Sequence, residues 1–215
     1  MITLGLDPSL RGFGWCVHRS DVAGPQRIVA KGHQGTEASK VFVLRYMELR
    51  GLVYHLLDEH PEIEMVGVES SAFGETFSEG AYGLFLYVCE ALYQRRKDVV
   101  FFDPHTVKLL ARLDPSIRRG VMDKAAMVEA AKVDIGATGH LDHNEADAYH
   151  IAKYAARFRD YLTGVLKNED LTPSEEHVFC RTHTYQRGKK AGHIEKSGLV
   201  YRENDRFFLF SRLEA

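Results

Sequence analysis

The chain has 215 residues, is 45% hydrophobic and carries a formal net charge of −2, which suits one sizeable core domain of roughly 150 residues plus an accessory segment. Its longest apolar run, around YGLFLYVCEAL, contains Glu90 and falls short of the ~20 residues a membrane span requires. The first residues also lack a basic region followed by a small-residue cleavage site, so a soluble protein kept in the cytoplasm is expected. Cys16, Cys89 and Cys180 are odd in number, far apart and set mostly among apolar neighbours, which suits reduced thiols rather than a disulfide framework.

In ITLGLDPSLRGFGWCV, Ile2, Leu4 and Leu6 alternate with Thr3 and Gly5, the period of a strand, and Asp7-Pro8-Ser9 is a turn signal before a second strand from Phe13 to Val17. This is either a plain hairpin or a strand that ends in a carboxylate placed for metal chemistry. RIVAKG reads as a third strand. ASKVFVLRYMELRGLVYHLLDEH follows as an amphipathic helix whose apolar positions include Val41, Leu44, Leu52, Leu56 and Leu57, stopped by Pro61. IEMVGVESS is an almost wholly apolar run ending in Glu69, as expected of a central strand covered on both faces. SEGAYGLFLYVCEALYQRRK reads as a helix, VVFFD as a buried strand, and PHTVKLLARL as a helix with proline in its first turn. MDKAAMVEAAKV and NEADAYHIAKYAARFRDYL complete the core as helices. Three antiparallel-type strands followed by strands alternating with helices predict an α/β fold, a mixed sheet flanked by helices. From about Thr163 the chain turns polar: KNEDLTPSEEH reads as a linker, and GLVYRENDRFFLFSRL as a hairpin. The expected division is a core domain over 1–162 and a linker with a basic hairpin extension over 163–215.

Three carboxylates stand where they are costly. Asp7 ends the first strand and Glu69 the central one, and in open α/β sheets sites are built at the carboxyl ends of strands. The third is Asp147. At about 100° per residue, Ile151, Ala155, Ala148 and Phe158 all fall on its side of the helix, as does Asn144, whereas Lys153 and Arg157 fall on the other. A carboxylate facing a core needs a charge partner or a metal. Asp142 and Glu145, by contrast, match a capping box at the start of that helix. Asp7, Glu69 and Asp147 with an Asn are hard oxygen ligands suited to Mg²⁺, with Mn²⁺ able to substitute, and unsuited to zinc. Two such ions can activate a water and stabilise a leaving 3′ oxygen in phosphodiester hydrolysis. Between Arg95 and Lys132 nine basic residues face five acidic ones, a local excess that is either a solvated face or a phosphate-binding surface.

These residues resemble a known family, the RuvC-like Holliday-junction resolvases of the RNase H-like superfamily. LGLDPSLRGFGWCV is similar to the family's first-strand motif, with Asp7 as its aspartate; VGVESS is similar to the central-strand motif, with Glu69; and HNEADAYHIA is similar to the last-helix motif, with Asp147. DPHTVKLLARL and DKAAMVEAA resemble the segment supplying DNA-contacting lysines, here Lys108 and Lys124. The resemblance spans roughly residues 1–158 and implies an RNase H-like fold, a Mg²⁺-dependent crossover junction endodeoxyribonuclease, and a homodimer offering two sites to a four-way junction, with forks and flaps as further branched substrates. It implies Asp7, Glu69, Asn144 and Asp147 as the catalytic, metal-holding set. Asn144 departs from the acidic residue or histidine usual in the family at that position, which leaves His143 and Glu145 as other fourth ligands and a catalytically silent branched-DNA-binding or scaffold protein as the second reading. The loop SSAFGETFSEG would face the junction centre, with Phe73 or Phe77 wedged against unstacked bases or simply packed beneath the loop. The added segment after residue 163 is of a kind common in bacteriophage variants.

Two other readings carry less. An actin-like sugar kinase also opens on a strand-turn-strand bearing an aspartate, but it needs a second phosphate-binding hairpin that the chain lacks. His177, Cys180, His183 and His193 could be read as a zinc cluster, yet the spacing fits no finger and a single thiolate is a weak zinc signal. A basic loop with Arg181, Arg187, Lys189 and Lys190 is the plainer reading.

Overall fold

The computed structural model describes residues 1–20, 26–70, 79–112, 122–136, 140–180, 182–184, 194–196, 198–203 and 206–211, the last four stretches by backbone pairing alone. β1 (Ile2–Asp7), β2 (Phe13–Arg19) and β3 (Arg27–Gln34) form an antiparallel meander. β4 (Met65–Glu69) lies parallel to β1, and β5 (Asp98–Phe102) parallel to β4. β8 (Gly198–Glu203) and β9 (Arg206–Ser211) pair antiparallel, and β9 runs parallel to β5, giving the order β3-β2-β1-β4-β5-β9-β8. The short strands β6 (Thr182–Thr184) and β7 (Ile194–Lys196) make a separate pair. The mixed α/β sheet flanked by helices is therefore the architecture of the molecule.

Strand alternation sorts side chains between two helical layers. Leu4, Leu6, Val66 and Val68 point to α1 (Phe42–Glu59) and α2 (Glu79–Gln94), where they meet Leu49, Val53, Leu56, Leu84 and Val88 in one buried cluster. Met65, Val100 and Phe102 point the other way, to α3 (Pro104–Leu110), α4 (Lys124–Ile135) and α5 (His143–Leu162), where they meet Val107, Met127, Ile151 and Phe158. Small residues let α5 lie directly on the sheet. A Cβ on Gly5 would run into the backbone oxygen of Ala148, and one on Gly14 into that of Asn144. Thr3 Oγ1 adds a hydrogen bond to the Ala152 carbonyl at 2.9 Å. No described helix is long and apolar enough to cross a membrane.

Two expectations need correction. The buried stripe of α1 is Tyr46, Leu49, Val53, Leu56 and Leu57, whereas Val41 and Leu44 are 65% and 54% exposed. At about 100° per residue Leu44 falls on the opposite side of the helix from that stripe, so approximate helical spacing among apolar residues assigned it to the wrong side. The polar stretch after residue 163 is also more than a linker. It contains a single 3-10 turn over Asn168–Asp170 and a helix α6 (Pro173–Phe179) with a Thr172–Glu175 capping box. Phe179 is buried edge-on against Phe158 of α5, with ring centroids 5.0 Å apart, and the Arg157 guanidinium pairs with the nearly inaccessible Glu175 carboxylate. The amphipathic demand of so short a helix is met by tertiary packing, which polarity averages do not reveal.

Candidate active site

The register of the parallel pair sets the site. Leu6 of β1 lies opposite Val68 of β4, so the next residues, Asp7 and Glu69, leave adjacent strands side by side on the α5 face. Ser70 fixes the exit of β4 by donating its backbone N–H to the Phe102 carbonyl at 2.9 Å. The close seating of α5 on Gly5 and Gly14 carries Asp147 over the same strand ends.

All three carboxyls are half-buried, and all three are shifted towards their neutral forms. Burial, and then the charge of Asp147, pushes Asp7 up to about 7, with Lys124 opposing. Burial, then Asp7 and Asp147, raises Glu69 well above the usual carboxylate range, with Lys108 opposing. Asp147 is raised to about 6 by burial, against the pull of His143, Lys108 and Lys124. Asp147 acts on Asp7, and both act on Glu69, so the three carboxyls lie within electrostatic reach of one another. Lys108, on α3, and Lys124, at the first turn of α4, lie within electrostatic reach of the group as well.

The neighbouring polar residues are engaged differently. Asp142 caps α5, accepting the Asn144 backbone N–H at 2.9 Å, and Glu145 returns its carboxylate to the Asp142 N–H at 3.1 Å. Glu145 also pairs with Lys31 of β3. These bonds give Glu145 a structural occupation. Burial works to raise Asp142, but the Asn144 amide and His143 hold it below the usual range. Asn144 turns its side-chain nitrogen to Asp142 Oδ1 at 2.8 Å, so its amide belongs to the cap as well as to the edge of the site. Phe73 and Phe77 lie outside the described residues, as does His193; Cys180 donates its thiol to the Tyr161 hydroxyl at 3.1 Å.

Two participants escaped the reading of the sequence. Asp103 follows β5 as Glu69 ends β4, and its charge adds to the upward push on Glu69. The strand-end rule that selected Asp7 and Glu69 applies to it equally, although its carboxylate is taken by the His105 N–H as the cap of α3. His33 of β3 reaches Asp142 at 3.7 Å and Glu145 at 3.8 Å. Nothing in the local pattern of β3 marks it.

Ionised, these three carboxylates would offer only acceptor oxygens, the donor type that a hard divalent cation takes. Among the described residues, no group of three or more carboxylate, imidazole or thiol side chains is placed as it stands to hold a metal ion. The chemistry of the donors fits magnesium or manganese; the set holds no imidazole or thiolate, and so does not suit zinc.

No family model matches the sequence, and no curated protein matches it significantly. Solved structures do match. Thermus thermophilus RuvC is similar with a TM-score of 0.62 at 19% identity, over 74% of this chain and 97% of that one. The chain has a RuvC-like fold. A second structure, T. thermophilus RuvC in complex with Holliday junction substrate, matches with a TM-score of 0.60 at 21% identity, over 74% of this chain and 95% of that one. At these identities the likeness speaks for the RuvC-like arrangement of strands and helices alone.

Proposed function

We propose that the protein is a structure-selective endonuclease that hydrolyses phosphodiester bonds in Holliday junctions and other branched DNA. The observation that carries this reading is that Asp7 and Glu69 end adjacent parallel strands, with the charges of Asp147, Lys108 and Lys124 within electrostatic reach of them. The RuvC-like fold supports it, since the T. thermophilus protein of that fold was solved with a Holliday junction. Asp7, Glu69 and Asp147 would hold magnesium or manganese, with Asn144 as the further oxygen donor at the rim. Bound there, two such ions supply an activated water and charge for the leaving 3′ oxygen. Lys108 and Lys124 draw the phosphate backbone to the carboxylates. Asp142 and Glu145 hold the start of α5, and with it Asp147, in place.

In this reading the enzyme acts as a homodimer in the cytoplasm, one site for each of two opposed strands. The outer side of α1 and α2 leaves Val43, Met47, Leu86 and Tyr93 between 46% and 67% exposed, apolar surface of the kind that a subunit contact covers. The test is cleavage of labelled four-way junction, fork, flap and linear duplex with Mg²⁺, run beside sedimentation of the free protein. Branched substrates should be cut and the duplex spared. Tight junction binding with no cleavage at any Mg²⁺ or Mn²⁺ concentration would favour the silent scaffold, the reading that Asn144 keeps in play.

A further inference from the structure

Immediately beyond Asp7 the chain borders a cleft of about 580 Å³, between the β1–β2 turn on one side and the first turns of α1 and α2 on the other. That volume is in the range of a small-molecule site. Its walls are chemically specific. Phe42 stands 51% exposed at the start of α1, with its ring stacked on Tyr46 at 6.0 Å and 9° and the Arg45 guanidinium 5.7 Å from its centroid. Gly80 forms the floor, since a Cβ there would lie 3.3 Å from both Leu10 and Phe42 and would narrow the slot. Arg11 is exposed at the mouth.

Arg45 is the more informative charge. It is only 7% exposed, and its guanidinium is held by neutral acceptors, Thr36 Oγ1 at 2.8 Å and the Leu10 carbonyl at 3.4 Å. Among the described residues no carboxylate pairs with it. A buried cation without a counter-charge is costly, and an anion brought to the cleft would lower that cost. An aromatic platform, a cationic rim and a small-residue floor, lined from Pro8 onwards and so one residue along the chain from Asp7, fit one ligand class, an unstacked nucleotide.

We infer that this cleft takes a single unpaired nucleotide flanking the scissile phosphate, its base laid on Phe42 and its phosphate met by Arg11 and Arg45. The inference rests on the nuclease reading above. It makes Phe42 a binding residue that selects strands with an unstacked base beside the cut, and so links branch recognition to the chemistry at Asp7.

The experiment is a double-mutant cycle between protein and DNA. The cut position is first mapped with the wild type, and junctions are then made with a normal base or an abasic site beside it. Removing the base should weaken wild-type binding about tenfold and leave the affinity of Phe42→Ala unchanged, while Phe42→Trp behaves like wild type. Arg11→Ala, on an exposed side chain that folding does not need, should weaken both junctions equally and flatten the salt dependence. Equal loss on base removal in wild type and Phe42→Ala would overturn the slot while leaving the nuclease standing. A shift of Phe42→Ala from dimer to monomer would reassign Phe42 to a subunit contact and also overturn it. A wild type that neither binds nor cuts any junction would remove the nuclease reading, and the slot with it.

Discussion

One face of the sheet buries two sets of titratable groups, and they answer burial in opposite ways. At the carboxyl ends of β1 and β4, Asp7 is raised by desolvation and then by Asp147, and Glu69 by desolvation and then by Asp7 and Asp147. Further back on the same face, fully buried His18 sits edge-on to Tyr149 at 5.6 Å, and Tyr149 edge-on to fully buried His150 at 5.3 Å. Desolvation lowers both histidines to about 4, although His18 Nδ1 contacts Thr3 and His150 Nε2 the Met127 carbonyl. The histidines are neutral core residues, packed as aromatics. The carboxylates instead carry like-charge repulsion that protein neighbours only partly relieve. Perturbed ionisation alone does not mark a site; accumulation of one sign of charge does.

The sharpest way to break this contrast is substitution at the carboxylates. Asp7→Asn or Asp147→Asn should lower junction cleavage by at least about a thousandfold while binding survives, because cation-holding charge is lost and the basic surface is not. Undiminished cutting by either variant removes that residue from the mechanism. The same substitution should stabilise the metal-free fold. Between about pH 4 and 7 native Asp7 keeps a proton that the unfolded chain has released, so wild-type stability falls as pH rises through that window. In EDTA at pH 8, Asp7→Asn should therefore melt above wild type, by at most about 4 kcal/mol, with the gap closing towards pH 4. Added Mg²⁺ should narrow the gap by binding the wild type. Identical melts at pH 8 would mean that Asp7 carries no unrelieved charge.

The histidines should behave in the reverse sense. Their native values near 4 lie below the unfolded value, so the unfolded chain gains protons first and stability is lost as pH falls from about 6.5 to 4, on the order of 3 kcal/mol per ring. A His18→Gln, His150→Gln double variant should flatten that acid limb; an unchanged slope would show that other groups titrate there. A smaller effect is expected at the basic rim. Lys108→Ala and Lys124→Ala should each reduce the salt slope of junction binding by about one contact, and unchanged slopes would leave them surface lysines. Asn144→Asp should shift half-maximal Mg²⁺ downwards about threefold and Asn144→Ala upwards. The aspartate variant should also melt slightly lower, since its new charge faces Asp142. Shifts of the same sign would place Asn144 in the cap alone.

The elements around the site were legible in the sequence because their causes are local. Strand alternation, Pro104 and the Asp142–Glu145 pair each act within a few residues, and the structure shows the β1–β2 hairpin, the α3 start and the capping box where those signals stand. The apolar side of α5 that includes Asp147 could likewise be read from helical period. Local pattern misassigned Leu44, missed α6 and gave no sign that β9 would lie against β5, because those outcomes depend on which surfaces meet. The occupation of Glu145 by Lys31, 114 residues away, and the approach of His33 to Asp142 belong to the same class. By itself the sequence determined which carboxylates end strands or face the core, since backbone period and capping need only near neighbours. Tertiary structure alone decided that Asp7, Glu69 and Asp147 lie within electrostatic reach of one another and that Phe42 and Arg45 line one cleft with the β1–β2 turn, because only the register of β1 on β4, the seating of α5 on Gly5 and the packing of α1 bring distant residues together.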